Sequence, residues 1–291
     1  MAAYSHTQLN ELIDILSTPT YFAQEDRLIQ KILDKVKDKE LTIAQDKVGN
    51  IYIQKGLTNS QIYPCVVAHL DTVHEIQEYL VHNDSDTYLS AKLADGTPYG
   101  IGGDDKAGVF ACLQLLERID NIKVVFFVGE EFGCYGSRLC DKSFFENVGY
   151  VIQFDAPEHN WISHISYGVK LFDSKGEFFK KIEPILKEHM GENLILGNHP
   201  YTDVCVIKKK VPVSCINLSI GYYNMHTVNE FVDVGVCFDC IDMGEKIIKT
   251  LGDKRYEFFE PSITYAGYDD HPERLAILET RFLEEKRKGL I

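Results

Sequence analysis

Wherever an apolar run of this chain ends, a histidine or a carboxylate follows. VVA is followed by His69, Leu70 and Asp71, and FFV by Gly129, Glu130 and Glu131. VIQF is followed by Asp155, and INLSIG leads within a few residues to His226. The stretch GIGGDDKAGV places Asp104 and Asp105 side by side after a glycine-rich turn. These are the residue types that bind hard or borderline divalent cations. Carboxylates gathered at one rim would repel one another at neutral pH unless cations neutralised them. One Asp of the pair is therefore read as a metal ligand, bent inward by a backbone that the glycines leave free. Each residue alone has a plainer explanation. A lone His sits in a core or on a surface, Asp105 caps the helix that follows, and Glu130 with Glu131 forms a solvated loop. The joint pattern of two His and several carboxylates at five segment ends points to a metal site.

The elements that must position these residues are legible in the apolar periodicity. Leu9, Leu12, Ile13 and Leu16 mark a first helix ending near Pro19, and Leu28, Ile29, Ile32, Leu33 and Val36 mark a second. LTIAQDKVGNIYIQKG alternates about Gly49–Asn50, as two strands of a hairpin do. YPCVVAHLD, VVFFVGEE, YVIQFDA and VPVSCINLSIG are short apolar runs, expected as strands buried on both faces. KAGVFACLQLLERI and VGVCFDCIDMGEKIIKTL read as helices between and after them. GEFFKKIEPILKEHM is a helix that Pro184 weakens or kinks. The expected fold is α/β, a single mixed and mostly parallel sheet sandwiched by helices. Open sheets of this kind build their sites just outside the carboxyl ends of the strands, where the five segments aim their polar residues.

Beyond Gly252 the texture changes. An aromatic, irregular stretch precedes HPERLAILETRFLEEKRKGL, a charged helix with an apolar stripe at Leu275, Leu278 and Phe282. Residues 1–252 are read as a catalytic domain and 253–291 as a C-terminal extension. The stripe packs on its own domain or, alternatively, joins a second subunit as a homo-oligomer contact.

Composition narrows the function classes. At 291 residues and 45% hydrophobic the chain can bury a sizeable core. With 44 acidic and 30 basic residues the net charge is −14, which disfavours nucleic acid and suits cations and small neutral or cationic substrates. No apolar run approaches the roughly 18 residues of a membrane span, and the N-terminus lacks the pattern of a signal peptide. The eight cysteines lie mostly inside apolar runs. Cys237 and Cys240 form a CxxC within a helix and without a second pair, so free buried thiols in a reducing cytoplasm are expected.

HLD, GGDDKAG, GEE, FDA and NMHTVNEFV occur in an order that resembles the co-catalytic di-zinc exopeptidases, with GGDDKAG and GEE most similar to peptidase T. The resemblance spans roughly residues 6–250. It implies His69, Asp104 and Asp155 on a first metal and Asp104, Glu131 and His226 on a second, Asp104 bridging. Asp71 resembles the carboxylate that orients His69, and Glu130 the general base. Relatives carry a cis peptide after the bridging Asp. Two divalent ions are implied, zinc by default, with cobalt or manganese fitting the same ligands. Each zinc would keep an open position for water, the layout of a catalytic site.

The chain departs from peptidase T in one respect. Only 70 residues lie between Asp155 and His226, too few for an inserted lid domain beyond the elements already expected there. Substrate-binding residues therefore do not carry over from peptidase T. In NHPYTDV, Tyr201 and Asp203 resemble the run that stabilises the oxyanion in lidless aminopeptidases, and a plain loop explains them equally well. Lys106, in the first turn of a helix, is expected to point to solvent, and His74, His82, His159, His164 and His199 are spare. The leading reading is a metallo-exopeptidase, an aminopeptidase or a di- or tripeptidase. A deacylase of N-acyl amino acids would use the same site, and a relative acting only as a binding or assembly module is the reading from another class.

Overall fold

In a computed structural model, residues 4–56, 61–84, 87–200, 202–259 and 272–288 are described. The chain opens with α1 (His6–Leu16) and α2 (Asp26–Val36). Ser5 and Gln8 cap α1 reciprocally, satisfying amide groups that the first turn leaves open. The hairpin β1 (Thr42–Gln45) and β2 (Ile51–Lys55) turns on Asp46, whose carboxylate accepts from the backbone of Val48, Gly49 and Asn50. Then come β3 (Tyr63–His69), β4 (Leu80–Asp84), β5 (Tyr88–Lys92), β6 (Pro98–Tyr99), α3 (Gly103–Arg118), β7 (Ile122–Phe127), α4 (Tyr135–Arg138) and β8 (Val148–Ala156). The second half holds β9 (Trp161–Ser166), β10 (Val169–Lys170), α5 (Glu177–Met190), β11 (Ile195–His199), α6 (Asp203–Lys210) and β12 (Cys215–Ser219). It closes with β13 (Tyr222–Tyr223), β14 (Phe231–Asp233), α7 (Val234–Leu251) and α8 (Pro272–Lys288).

One large mixed sheet runs β1-β2-β7-β3-β8-β12-β9-β10, with β11 on β9. Its centre, β7-β3-β8-β12, is parallel. Every residue of those four strands is buried, which is why they read as unbroken apolar runs. Helices flank them: α3, which packs against α1 and α7, lies on β3, β7 and β8, and α6 lies on β3, β8 and β12. α5 continues through Pro184 as one helix. All of β9, β10, β11 and β12 belong to the large sheet, so among the described residues the stretch between Asp155 and His226 adds strands to it and forms no separate lid domain.

Besides the expected sheet there is a small antiparallel one, β13-β14-β5-β4 with β6 on β5. The eight cysteines are free and buried, Cys237 and Cys240 among them on α7. No described helix is long and apolar enough to cross a membrane. Leu278 and Phe282 of α8 are buried within the chain, where Phe282 stacks on Tyr135 at 4.7 Å. At Leu278 and Phe282 the stripe thus packs on its own domain, the first of the two readings of the sequence.

Candidate metal centre

The parallel strands deliver their polar residues to one rim. His69 ends β3, Asp155 is the penultimate residue of β8, and Glu130 and Glu131 follow β7. Asp104 and Asp105 open α3 with non-helical backbone, and the peptide bond between them is cis. Gly102 precedes them in the left-handed region at φ 67°. At Gly103 an added Cβ would lie 2.7 Å from Val232 and 2.9 Å from Tyr222, because the small sheet closes directly over this turn. His226 comes from the loop between β13 and β14.

The Asp104 carboxylate divides between the two histidines. Its Oδ1 lies 3.1 Å from His69 Nε2 and its Oδ2 3.2 Å from His226 Nε2. His69 Nε2 is also 3.6 Å from Asp155 Oδ1, and His226 Nε2 is 2.8 Å from Glu131 Oε1. Two donors each 2.0–2.1 Å from a tetrahedral ion lie about 3.3 Å apart, so these separations suit pairs of ligands on shared ions. Donor chemistry agrees: imidazole and carboxylate, no thiolate. Asp104, Glu131 and His226 fall within ligand reach of one another, as do His69 with Glu130 and Glu131, and His69 with Asp105 and Asp155.

Around this set the backbone is held by carboxylates. Asp71 accepts from the amides of Glu130 at 2.9 Å and Glu131 at 3.1 Å, while its carbonyl lies 3.1 Å from His69 Nδ1. Asp71 therefore orients the Glu pair as well as the imidazole. Asp105 accepts from the His69 amide at 3.1 Å, and its other oxygen is buried without a partner. Asp155 accepts from Thr202 at 2.6 Å and Gln153 at 3.0 Å. Asp203 is fully buried in the first turn of α6 instead of standing on an open loop, and Tyr201 lies outside the described residues.

Two residues here depart from the sequence reading. Lys106 does not point to solvent: it is 1% exposed and donates to the carbonyls of Leu16 and Thr18 and to the Tyr79 hydroxyl. The missing side chain at Gly102 makes this path possible, since a Cβ there would sit 2.8 Å from Lys106 Cε. Burial pushes the lysine down to about 7. Glu230, quoted only as part of NMHTVNEFV, proves to be a clamp. It is 1% exposed and accepts from Gly102 at 2.8 Å, Asp104 at 3.0 Å and His74 at 3.1 Å, tying the small sheet to the turn that carries Asp104. Of the remaining histidines, His164 meets the Phe172 carbonyl and His159 the Tyr223 hydroxyl.

Charge in the site is arranged as the cations would find it. Burial pushes Glu130 well above the ordinary carboxyl range, with Asp155, Glu131 and Asp203 adding like charge. Burial likewise takes Glu131 to about 7 and Asp203 to about 7. Hydrogen bonds that His226 donates to Asp104 and Glu131 hold it up at about 10. For His69, burial favours the neutral ring, but hydrogen bonds to Asp104, Asp155 and Asp71 outweigh it. Protons on the histidines thus balance carboxylates that metal ions would otherwise balance.

The family follows from the sequence: the model of peptidase family M20/M25/M40 matches residues 65–250, and the chain belongs to that family. It is a metallo-exopeptidase, a hydrolase of peptide or amide bonds. No match to a curated protein sequence was found. Among solved structures the fold is similar to aminopeptidase PepT from Bacillus cereus, with TM-score 0.68 and 13% identity over 84% of this chain and 98% of that one. It is similar to a tripeptidase from Staphylococcus aureus, with TM-score 0.68 and 13% identity over 83% and 97%. The TET1 peptidase of Pyrococcus horikoshii, which assembles into a tetrahedron or a large octahedral shell, aligns with TM-score 0.64 and 14% identity over 82% and 98%.

Proposed function

We propose that the chain removes residues from the end of short peptides, as an aminopeptidase or a di- or tripeptidase, with two divalent ions at the rim of the large sheet. The single observation that carries this reading is the division of Asp104 between His69 and His226. His69, Asp104 and Asp155 would hold one ion, and Asp104, Glu131 and His226 the other. Zinc suits these donors best, with cobalt and manganese as substitutes. Such a pair supplies a water of lowered pKa and polarises the scissile carbonyl.

The protein's own part falls to a few groups. Glu130 takes the proton from the attacking water and returns it to the leaving amine. A carboxylate raised by burial is suited to hold that proton between the two transfers. Asp71 fixes Glu130 by its amide, so the base is aimed by backbone as well as by side-chain packing. Thr202, donating to Asp155, brings the start of α6 with Asp203 to the site, in keeping with a part in binding the substrate. The eight buried thiols fit work in the cytoplasm.

Metal analysis followed by a panel of aminoacyl, dipeptide and N-acetyl substrates, with zinc, cobalt or manganese added, tests this reading. Two bound ions and cleavage of free amino termini are expected. Cleavage of N-acetyl substrates alone would make the chain a deacylase, and material that binds no metal would overturn the proposal.

Proton release gives a second expected result. His226, held near 10, carries a proton at pH 7, and a ligating imidazole must be neutral. Zinc binding at pH 7 should therefore expel protons, and affinity should weaken as pH falls. Calorimetry in buffers of different ionisation enthalpy measures the number released. A heat independent of the buffer would remove His226 from the ligand set.

A further inference from the structure

We propose that α8 is a positioning element for the loop carrying Glu130 and Glu131, acting through Phe282. The inference rests on the roles given to those two residues above. That loop is wound tightly on itself. Gly133 and Cys134 both donate their amides to the Glu130 carbonyl, at 2.9 and 2.8 Å, and Tyr135 donates to the Gly129 carbonyl at 2.9 Å. Asp71 grips its inner side through the two Glu amides. Its outer side presents Phe132, Gly133 and Tyr135.

Segments from both ends of the chain cover that outer side. Phe22, just ahead of α2, stacks on Phe132 at 4.1 Å. Phe282 of α8 stacks on Tyr135 at 4.7 Å and meets Phe22 edge-on at 5.6 Å. A Cβ on Gly133 would lie 3.8 Å from Leu278 Cδ1, and one on Gly129 would lie 2.9 Å from the Phe22 ring. Lys286 pairs with Asp26 at 3.4 Å and lies 5.6 Å over the Phe282 ring, fastening α8 to the start of α2. Neither Phe22 nor α8 lies within residues 65–250, which the family model matches. The loop is thus clamped between Asp71 within the matched region and an aromatic stack outside it.

The chemical consequence follows from how the loop is hydrogen-bonded. Tyr135 cannot shift without pulling on Gly129, and Gly129 adjoins Glu130. Removing the Phe282 ring leaves Tyr135 and Phe22 facing a void, and the loop slackens toward it. Misplacement of a catalytic group by about 1 Å costs up to about 100-fold in rate. A base acts in the transition state, so the loss falls on kcat and spares KM.

The test compares full-length Phe282→Ala with Phe282→Tyr, which keeps the ring, and with Phe179→Ala. Phe179 is buried on α5, where it stacks on Phe172, away from the loop. Assays run at saturating zinc and well below every variant's Tm. We expect kcat of Phe282→Ala to fall about 10- to 100-fold with KM changed less than about threefold, recovery in Phe282→Tyr, and near-normal kcat in Phe179→Ala. Phe282→Leu, with an intermediate loss, takes the place of the alanine variant should that fail to fold. Equal kcat in Phe282→Ala and Phe179→Ala, per folded molecule, overturns the proposal and leaves α8 as a stabilising helix alone. If Glu130→Gln retains turnover, the assignment of the base fails by itself, and the Phe282 comparison still decides whether α8 acts on the loop.

Discussion

Glu130→Gln is expected to keep its metal and to lose turnover by about 10²- to 10⁴-fold, the range that general acid–base groups contribute. The substitution is nearly isosteric and suits its surroundings. The Cys134 thiol lies 3.6 Å from Glu130 Oε1 and can donate to an amide oxygen as it does to a carboxylate. Asp71 still accepts from the backbone amide, so the loop stays in place. What disappears is the ability to accept a proton. Elemental analysis and kcat/KM on the same preparation separate two roles, because Glu130 is also within ligand reach of His69 and Glu131. Activity lost together with metal would make Glu130 a ligand, and activity retained would exclude it as the base.

Asp104→Ala is expected to do more damage and of a different kind. Both oxygens of this carboxylate face histidines, so its removal takes a donor from each proposed ion at once. Metal content should fall from two ions per chain to one or none, and activity to background. The metal-free protein is affected as well. Hydrogen bonds from His226 and His69 hold the Asp104 carboxyl well below the usual range, overcoming its burial. Its contribution to stability is therefore complete above the unfolded carboxyl pKa and is lost as pH falls through the lower folded one. At pH 7 the variant should be less stable than the parent, and the gap should close in acid. Thermal melts across pH, together with metal counting, check both halves. Two ions retained in Asp104→Ala would end the bridging assignment.

The sequence was informative where burial on both faces imposed unbroken apolar runs. That is how β3, β7, β8 and β12 were legible, and with them the positions of His69, Glu130, Glu131 and Asp155. The small sheet left no such mark. β6 and β13 have two residues each and β14 has three, too short for any period to register. Without that sheet there was no reason to bring Glu230 back onto the Gly102–Asp104 turn. Lys106 departs from its expected exposure for a related reason. A lysine in a first helical turn ordinarily faces water, and only the three-dimensional path past Gly102 gives its ammonium the carbonyls of Leu16 and Thr18. The C-terminal stripe was visible in Leu278 and Phe282, but not which surface it would meet.

The β13–β14 hairpin has an engineering consequence. His226 and Glu230 sit four positions apart on one short segment that joins the rest of the chain through the small sheet. The other proposed ligands are rooted in the framework of the large sheet and its turn. Residues 222–233 therefore supply one proposed ligand directly and, through Glu230, hold the turn that carries another. Grafting this segment from a relative would alter one ion's seat through His226 and, through Glu230 and Tyr222, the setting of Asp104 and Asp155 that serves its neighbour.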